Sequence, residues 1–426
     1  MKYAYINGVV LDGREDMRPV SGKAILTDGR QISDIIDAAA APEGYTAVDL
    51  GGRYILPGLI NLHVHLPASG KPKNKPTDAK KLARIMSSTS LTRTVLHRMC
   101  AGYARTELLS GVTTIRTVGG LLNCDSDIRD GINAGETVGP RILAANMAVS
   151  VPGGHMAGSL AYEARSAEEA RQYVERIAAD SPDLIKLMIT GGVLDAKVKG
   201  EPGELKMPPE YVRAACGEAH ARGLKVAAHV ESPEGVRVAL ENGVDSIEHG
   251  AMPDEDILRL FRERGAALVT TLSPALPYAE FDRAISHASE LEQFNGKVVF
   301  RGIIECAKAC LAAGIPVGIG TDTGCPYITH YDMWRELIYF SRYCGVSPAF
   351  ALYTATLGNA RIAGIGAETG SIEKGKCADL IVCDKNPLED LSALRRLFAV
   401  VARGNYIASP SVRKMPNVER ELDKFL

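Results

Sequence analysis

Two histidines, His63 and His65, stand near the end of the apolar run YILPGLINLHVHL, which covers residues 54–66. The run is typical of a buried strand, and side chains two residues apart in a strand project from the same face. Two neutral imidazoles on one face could begin a metal site, because histidine is the commonest metal ligand. A half-buried strand can also carry two ordinary hydrogen-bonded histidines at this spacing, so the pair alone leaves both interpretations open.

Four later apolar runs each carry one ionisable residue at or near the end. Lys186 lies within LIKLMI, His229 lies within KVAAHV, and the runs SIEH and VGIGTD end in His249 and Asp322. Imidazole and carboxylate groups are ligands of catalytic zinc. Each residue alone could be a packed or capping side chain. Together with His63 and His65, they predict one metal site built from five segments.

Lys186 is the most informative of these residues, because its neighbours in the run are apolar. An ammonium group in a buried strand is costly, so such a lysine must be paired, neutral or chemically altered. A neutral amine can add carbon dioxide to form a carbamate, an anion able to bridge two divalent metals. The alternative is an ordinary ammonium group that pairs with Asp322 or Glu231.

The elements that must position these residues are short apolar runs alternating with amphipathic segments. Several of the amphipathic segments, such as 166–180, 208–223, 232–243 and 253–265, begin and end with residues typical of helix caps. Eight strands alternating with helices predict an α/β fold, the (β/α)8 TIM barrel, over residues 58–364, with its chemistry at the carboxyl ends of the strands. The eight runs are 59–66, 113–118, 141–146, 184–189, 225–230, 246–249, 267–272 and 317–322.

The two ends of the chain have a different pattern. Residues 1–57 contain short alternating segments, with hairpin signals at Asn7-Gly8 and Asp28-Gly29. Residues 365–426 contain similar segments, among them CADLIVCDKNPL and LFAVVARGNYI. Neither end is long enough to close a core alone, so we expect both to form one composite β-sandwich domain.

Composition excludes several classes of partner. The chain has 426 residues, 46% of them apolar, and a net charge of −2, which would attract neither nucleic acid nor an anionic membrane. Its nine cysteines form no CxxC pair, which is typical of reduced thiols in the cytoplasm. No apolar run approaches the length of a membrane span, which is about 20 residues. We therefore expect a cytoplasmic protein.

The motif set resembles the metal-dependent amidohydrolase superfamily, in its binuclear branch. The phrases LPGLINLHVH, IKLMITGGV, KVAAHV, VDSIEHGAM and GIGTDTG are similar to the imidazolonepropionase-related group, which includes prolidase-like dipeptidases, Xaa-Arg carboxypeptidases and ochratoxin-type amide hydrolases. The resemblance implies two divalent metals, most simply zinc. His63, His65 and Asp322 would hold one metal, His229 and His249 the other, and carboxylated Lys186 would bridge them.

The resemblance also implies a reaction. A hydroxide that bridges the two metals would attack an amide or peptide bond, and Asp322 would move the proton to the leaving amine. The expected substrate is a small carboxylate-bearing molecule, either an Xaa-Pro dipeptide or an N-acyl amino acid. Homo-oligomers are frequent in this family, so we expect one here.

Substrate contacts are expected from loops near the strand ends. His155 follows two glycines in VPGGHMAGS and could contact a substrate carbonyl or carboxylate as a catalytic or binding residue. Tyr327, His330 and Arg335 follow the eighth strand, and we favour His330. Glu231 lies two residues after His229, where it could support a ligand or contact substrate. The basic loop 71–81 could attract a carboxylate, although such runs are usually solvated surface.

Two other functions are open to this sequence. Cyclic amide hydrolases such as imidazolonepropionase, and ring deaminases, generally use one metal and lack the lysine of the fourth strand, so Lys186 argues against them. Deaminases also usually place an acid three residues after the histidine of strand five, where this chain has Ser232. A scaffold that has lost its metal would show broken ligands, and none of the six is missing.

Overall fold

The computed structural model describes residues 1–37, 40–72 and 78–426. These residues form two units, which we name after their place in the chain. The terminal unit comprises Met1–Leu62, Ala104–Ile115 and His330–Leu426, and the central unit comprises His63–Tyr103 and Arg116–Thr329. The domain boundaries expected from the sequence, after residues 57 and 364, stay a prediction.

The described strands are short and the helices vary widely in length. In chain order the strands are β1 Lys2–Ile6, β2 Val9–Val10, β3 Lys23–Asp28, β4 Gln31–Asp37, β5 Thr46–Asp49, β6 Tyr54–Pro57, β7 Leu59–Val64, β8 Val112–Thr117, β9 Arg141–Leu143, β10 Ala148–Ser150, β11 Ala161–Glu163, β12 Leu184–Met188, β13 Lys225–Val230, β14 Ser246–His249, β15 Ala267–Thr270, β16 Val317–Ile319, β17 Leu380–Cys383, β18 Leu397–Ala402 and β19 Asn405–Ala408. The α-helices are α1 Ala79–Ser88, α2 Ser90–Leu109, α3 Cys124–Asn133, α4 Ala167–Ala178, α5 Pro209–Ala221, α6 Pro233–Glu241, α7 Glu255–Arg264, α8 Leu276–Glu280, α9 Arg283–Ser286, α10 Glu290–Ala312, α11 Met333–Cys344, α12 Pro348–Tyr353, α13 Asn359–Ile362 and α14 Pro416–Leu422. A π-helical segment, Thr354–Gly358, joins α12 to α13.

Both ends of the chain contribute strands to the terminal unit. One sheet has the order β4-β3-β1-β5, and the other has the order β19-β18-β17-β6-β2. In the second sheet, β17 from the carboxyl end pairs antiparallel with β6 from the amino end. Side chains from both sheets, including Tyr5, Ile25, Ile55, Leu380 and Val401, form one buried apolar core. The composite β-sandwich expected from the sequence is therefore confirmed.

The two predicted hairpin turns have different outcomes. Asp28-Gly29 connects β3 to β4, which pair antiparallel with Asp28 opposite Gln31, as expected. The hairpin predicted at Asn7-Gly8 is wrong, because β1 and β2 belong to different sheets. Asn7 adopts the left-handed conformation, with φ of 56°, and the chain passes from one sheet to the other at this turn.

The strands of the α/β part follow the predicted alternation. All eight predicted runs contain a strand, and β10 to β16 belong to one sheet with the order β11-β10-β12-β13-β14-β15-β16, in which the neighbouring strands are parallel. The order of the remaining sheet is β7-β8-β9. The four amphipathic segments named above form α4, α5, α6 and α7. The α/β class predicted from the alternation is thus confirmed.

Backbone contacts within the central unit connect these two sheets. Val64 and Thr323 form a parallel bridge, and the amide of Asp322 donates to the carbonyl of His63 at 2.8 Å. On the β9 side of the smaller sheet, the carbonyl of Ala144 accepts a bond at 2.7 Å from the amide of Asp183, which precedes the interior strand β12. The first and eighth strands of the predicted series therefore end side by side.

The third predicted strand is interrupted. The run 141–146 was expected to be continuous, but β9 ends at Leu143 and β10 begins at Ala148. Asn146 lies between them with φ of 59°, and its side chain makes two hydrogen bonds with Ser126. A left-handed residue ends regular strand geometry, which explains the break.

Capping residues define several of the helices that follow the strands. The side chains of Ser166, Ser232 and Asp254 each accept a backbone hydrogen bond at the start of α4, α6 and α7. Gly265 ends α7 in the left-handed conformation. Among the helices of the described residues, none combines the length and apolar character that a membrane crossing requires.

Candidate active site

A cavity of about 490 Å³ lies in the central unit, and all six predicted metal ligands contribute to its wall. These residues come from five separate segments of the chain. The six are His63, His65, Lys186, His229, His249 and Asp322.

Neighbouring strands bring these side chains to one end of the sheet. His229 in β13 pairs in register with Met188 at the end of β12, and His249 in β14 pairs with Val230. His249 and Asp322 have positive φ angles of 70° and 56°. Such angles are uncommon for residues other than glycine and often occur at functional sites, where the surrounding structure supports the strain.

One group of ligand atoms surrounds Asp322. Its Oδ1 atom lies 3.2 Å from Nε2 of His65 and 3.5 Å from Nε2 of His63. Ligand atoms of His63, His249 and Asp322 lie within 4.8 Å of one another, and all three residues are buried. Two imidazole nitrogens and a carboxylate oxygen at this spacing are a suitable donor set for a divalent transition metal.

Hydrogen bonds fix the orientation of the buried imidazoles. Nδ1 of His63 lies 2.9 Å from a Glu248 carboxylate oxygen, and Nδ1 of His65 lies 2.8 Å from the Gly119 carbonyl oxygen. Nδ1 of His249 lies 2.7 Å from the Thr271 hydroxyl. With Nδ1 engaged, each ring retains Nε2 as a potential ligand, which is the usual arrangement around a metal.

A second group contains His229, Glu231 and His249, whose ligand atoms also lie within 4.8 Å of one another. Nε2 of His229 lies 3.2 Å from the carbonyl oxygen of Gly191, so Nδ1 is the nitrogen that remains for a metal. Because His249 belongs to both groups, the two potential metal positions are adjacent.

Lys186 is completely buried beside these groups. Among the described residues, its Nζ atom has no hydrogen-bond partner. Burial lowers the pKa of the amine to about 8, although Glu248 and Asp322 act in the opposite direction. The structure therefore does not show the alternative, in which the ammonium group of Lys186 pairs with Asp322 or Glu231.

Burial also acts on the other ligands. It lowers the pKa of His63 well below its usual value and that of His249 to about 4, so both rings are neutral near pH 7. Burial alone would raise the pKa of Asp322, but the nearby His63 and His65 hold it below its ordinary value. Neutral imidazoles and an ionised carboxylate are the forms that bind metals.

An observation that does not depend on the sequence motif also indicates a metal centre at these residues. Oδ1 of Asp322 and Nζ of Lys186 are buried polar atoms without a hydrogen-bond partner in the described residues, and both line the same cavity. Buried polar atoms are nearly always satisfied, so an unsatisfied pair facing several histidines indicates a position for a bound group.

A buried ion pair supports His63 and was not foreseen from the sequence. Nη2 of Arg116 donates to both Glu248 oxygens, at 2.6 and 2.7 Å, and the Ser246 hydroxyl donates to Oε1 at 2.8 Å. Glu248 is fully buried and Arg116 is only 5% exposed. The sequence signal for this pair was a charged residue within an apolar run, Arg116 in TTIRTV and Glu248 in SIEH. The same signal identified Lys186.

His155 lies in the cavity wall, between β10 and β11. Its Nδ1 atom is 2.6 Å from Oδ2 of Asp195, which also accepts a bond from the Gly192 amide at 3.0 Å. The His155 ring stacks on that of His229, with centroids 4.1 Å apart. Asp195, which fixes this histidine, was not identified from the sequence because it lies 40 residues away.

Glu231 also lines the cavity. Its Oε2 atom is buried without a hydrogen-bond partner in the part of the chain that the structure describes. Burial raises the pKa of this carboxyl to about 8, and the neighbouring Asp322 and Asp195 add to the shift.

The other expected substrate contacts are not among the described residues that line this cavity. Tyr327 is not among the described residues of the cavity wall, and its hydroxyl donates to the Ile285 carbonyl at 2.7 Å. His330 and Arg335 belong to the terminal unit, where Nδ1 of His330 lies 3.2 Å from Glu107 and Arg335 pairs with acidic residues of the carboxyl end. Substrate binding by Tyr327 and His330 stays a prediction.

The basic loop 71–81 is described only in part, because residues 73–77 lie outside the described residues. Of its lysines, Lys80 reaches the cavity wall and forms an ion pair with Glu163 at 3.0 Å.

Comparison with known proteins decides the family. Residues 54–407 match the model of the amidohydrolase family, and they contain all six candidate ligands. The chain belongs to the amidohydrolase family. It is therefore a hydrolase that acts on C–N bonds, of a family that typically uses metal ions.

Three relatives of this amidohydrolase have informative descriptions. The crystal structure of a candidate prolidase from Bifidobacterium longum is 35% identical, with a TM-score of 0.88, and the match covers 99% of this chain and 98% of the other. A Xaa-Pro dipeptidase structure with methionine bound in its active site is 29% identical, with a TM-score of 0.84 over 96% and 100% of the two chains. The ochratoxinase of Aspergillus niger is 24% identical over 92% of this chain and 83% of its own length.

Proposed function

We propose that this amidohydrolase cleaves the amide bond of a small carboxylate-bearing substrate, with an Xaa-Pro dipeptide as the first candidate and an N-acyl amino acid as the second. The main support is the convergence of six potential ligands from five segments on one cavity. Two relatives favour the dipeptide: the candidate prolidase from B. longum and the Xaa-Pro dipeptidase with bound methionine.

The donor atoms suit two adjacent divalent metals, most simply zinc. His63, His65 and Asp322 would hold one, and His229 and His249 the other, with carboxylated Lys186 contributing to both. Carboxylation replaces a buried amine by an anion that adjacent cations would stabilise. Bound at this site, two divalent cations would activate water and polarise the scissile carbonyl.

Side chains of the protein itself would transfer the proton of the attacking water and orient the substrate. Asp322 is held ionised by His63 and His65, so its carboxylate could accept a proton from the attacking water and pass it to the leaving nitrogen. Asp195 holds the ring of His155 at Nδ1, which leaves Nε2 for a contact with the substrate carbonyl or carboxylate. Neither a serine nor a cysteine nucleophile is needed.

A substrate panel tests this proposal. Zinc-loaded protein would be incubated with Xaa-Pro dipeptides, N-acyl amino acids, cyclic amides and aminopyrimidines, with Asp322→Asn as the matched inactive variant. We expect release of proline or of the free amino acid from the first two classes, at a rate that falls at least 100-fold in Asp322→Asn. Turnover restricted to cyclic amides or aminopyrimidines would show that the proposed substrate class is wrong.

A further inference from the structure

Glu231 occupies a specific position beside the candidate metal site. It lies two residues beyond His229, and a carboxylate oxygen of Glu231 is within 4.8 Å of ligand atoms of His229 and His249. Glu231 also forms part of the wall of a second cavity, of about 520 Å³. It therefore stands where two cavities of the central unit meet.

The acidic residues in the wall of the candidate active site differ in whether their carboxylate oxygens have hydrogen-bond donors. Asp195 accepts bonds from His155 and Gly192, whereas Oδ1 of Asp322 has no hydrogen-bond partner among the described residues and lies 3.2 and 3.5 Å from Nε2 of His65 and of His63, the atoms that would share a metal with it. The Oε2 atom of Glu231 is likewise buried without a donor among the described residues, and Glu231 also borders the second cavity.

A buried carboxylate oxygen without a donor is costly, and the neighbouring Asp195 and Asp322 would repel a further negative charge. Such a residue persists where a bound group compensates for it. A cation is the complementary group, because a positive charge beside Glu231 favours the ionised carboxylate, which accepts hydrogen bonds from it.

We propose that Glu231 binds the free α-ammonium group of a dipeptide substrate and thereby selects dipeptides over N-acyl amino acids. This inference rests on the proposed function. In a dipeptide the ammonium group is attached to the carbon next to the scissile carbonyl, so a carbonyl at the metal site brings it into reach of Glu231. Two divalent cations would repel an ammonium group, and the Glu231 carboxylate offsets that repulsion.

The second cavity has a compatible charge. Its wall contains the acidic residues Glu201, Glu204 and Glu234 besides Glu231, whereas Arg301 is the basic residue among the described residues that line it. Glu201, Glu204 and Glu234 are exposed, so salt screens their effect. Glu204 also pairs with Lys206, so Glu201 and Glu234 give this wall a small acidic excess over Arg301, which favours a cationic end of the substrate.

Glu231 could instead be a ligand of the second metal, because it belongs to a group with His229 and His249. The two roles differ in what the variant Glu231→Gln would lose. A ligand role requires that the variant lose bound metal, whereas the ammonium role requires that it keep its metal and lose selectivity.

The experiment compares two substrates of nearly the same shape. Alanyl-proline carries the α-ammonium group, and propionyl-proline has hydrogen in its place. We expect the zinc-loaded wild-type protein to favour alanyl-proline in kcat/KM. In Glu231→Gln this preference should fall about 10- to 100-fold, mainly through a higher KM, as expected for loss of a charge-assisted hydrogen bond.

Two further variants sharpen the comparison. Glu231→Asp keeps the charge on a shorter side chain and should retain an intermediate preference. Glu241→Gln changes an exposed residue at the end of α6 and should leave the preference unchanged. Metal content should remain the same in all variants.

The possible results separate the two proposals. An unchanged preference in Glu231→Gln, loss of metal from that variant, or a wild-type preference for propionyl-proline would overturn the ammonium role while leaving amide hydrolysis intact. Failure of the wild-type protein to hydrolyse either compound would overturn the Xaa-Pro dipeptide as the proposed substrate, and this inference with it.

Discussion

At the scale of single residues, the site depends on buried ionisable groups whose partners are few and specific. Glu248 shows this most clearly, because it receives hydrogen bonds from Arg116 and Ser246 while it contacts Nδ1 of His63. One carboxylate thus compensates a buried guanidinium and fixes the orientation of a candidate metal ligand. Removing one member of a buried ion pair leaves the other without compensation.

We expect Glu248→Gln to lower the free energy of unfolding of the metal-free protein by about 3 to 5 kcal/mol, because Arg116 would keep its charge in a buried site. Urea unfolding of the metal-free protein measures this quantity without a contribution from bound metal. Glu263→Gln, which removes an exposed ion pair with Arg259, should leave the unfolding midpoint almost unchanged. A Glu248→Gln protein as stable as the wild type would contradict the role of this pair.

At the scale of secondary-structure elements, the site requires the end of β16 to pass very close to β7. A Cβ atom added to Gly320 would lie 2.6 Å from both the Cβ and the amide nitrogen of His63. Atoms cannot approach this closely, so one strand would have to move. The absence of a side chain at Gly320 therefore allows His63 and Asp322 to lie side by side.

We expect Gly320→Ala to destabilise the protein by about 1 to 3 kcal/mol and to weaken metal binding, because it separates β7 from β16. Gly217→Ala is the matched control. It lies in α5, where the added Cβ would have no described atom within 4 Å apart from its chain neighbours and the backbone of its own helix, so it should be neutral or stabilising by up to about 1 kcal/mol. Thermal unfolding and a competition assay with a chelator measure the two effects, and equal behaviour of the two variants would refute this explanation.

At the scale of the whole molecule, potential ligands from β7, β12, β13 and β14 and from the segment after β16 line one cavity. A group that binds the folded state but not the unfolded chain stabilises the former. Metals bound here would therefore connect the first and last strands of the predicted series, which also meet through Val64 and Thr323.

Metal removal should consequently lower the unfolding temperature by several degrees, because a ligand present at 1,000 times its dissociation constant stabilises by about 4 kcal/mol. Differential scanning calorimetry before and after dialysis against a chelator measures the change, and added zinc should restore the original value. An unchanged unfolding temperature after verified metal loss would show that the metals do not contribute to stability.

Much of this arrangement could be predicted from local sequence patterns. Alternating apolar runs and helix caps located the eight strands and four of the helices, because burial and capping leave local signals. The break at Asn146 could not be predicted, because it depends on Ser126. Arg116 and Glu248 are 132 positions apart in the chain, and Glu107 and His330 are 223 positions apart. Only the folded chain brings the members of each pair together.

The central claim is that Lys186, as an anionic carbamate, allows the site to hold two metals, and metal analysis of purified protein tests it directly. We expect two divalent metals per chain in the wild type and fewer than one in Lys186→Ala, with recovery when a short carboxylic acid is supplied. Lys225→Ala, at the exposed start of neighbouring β13, should retain two. Two metals per chain and unchanged turnover in Lys186→Ala would contradict the account.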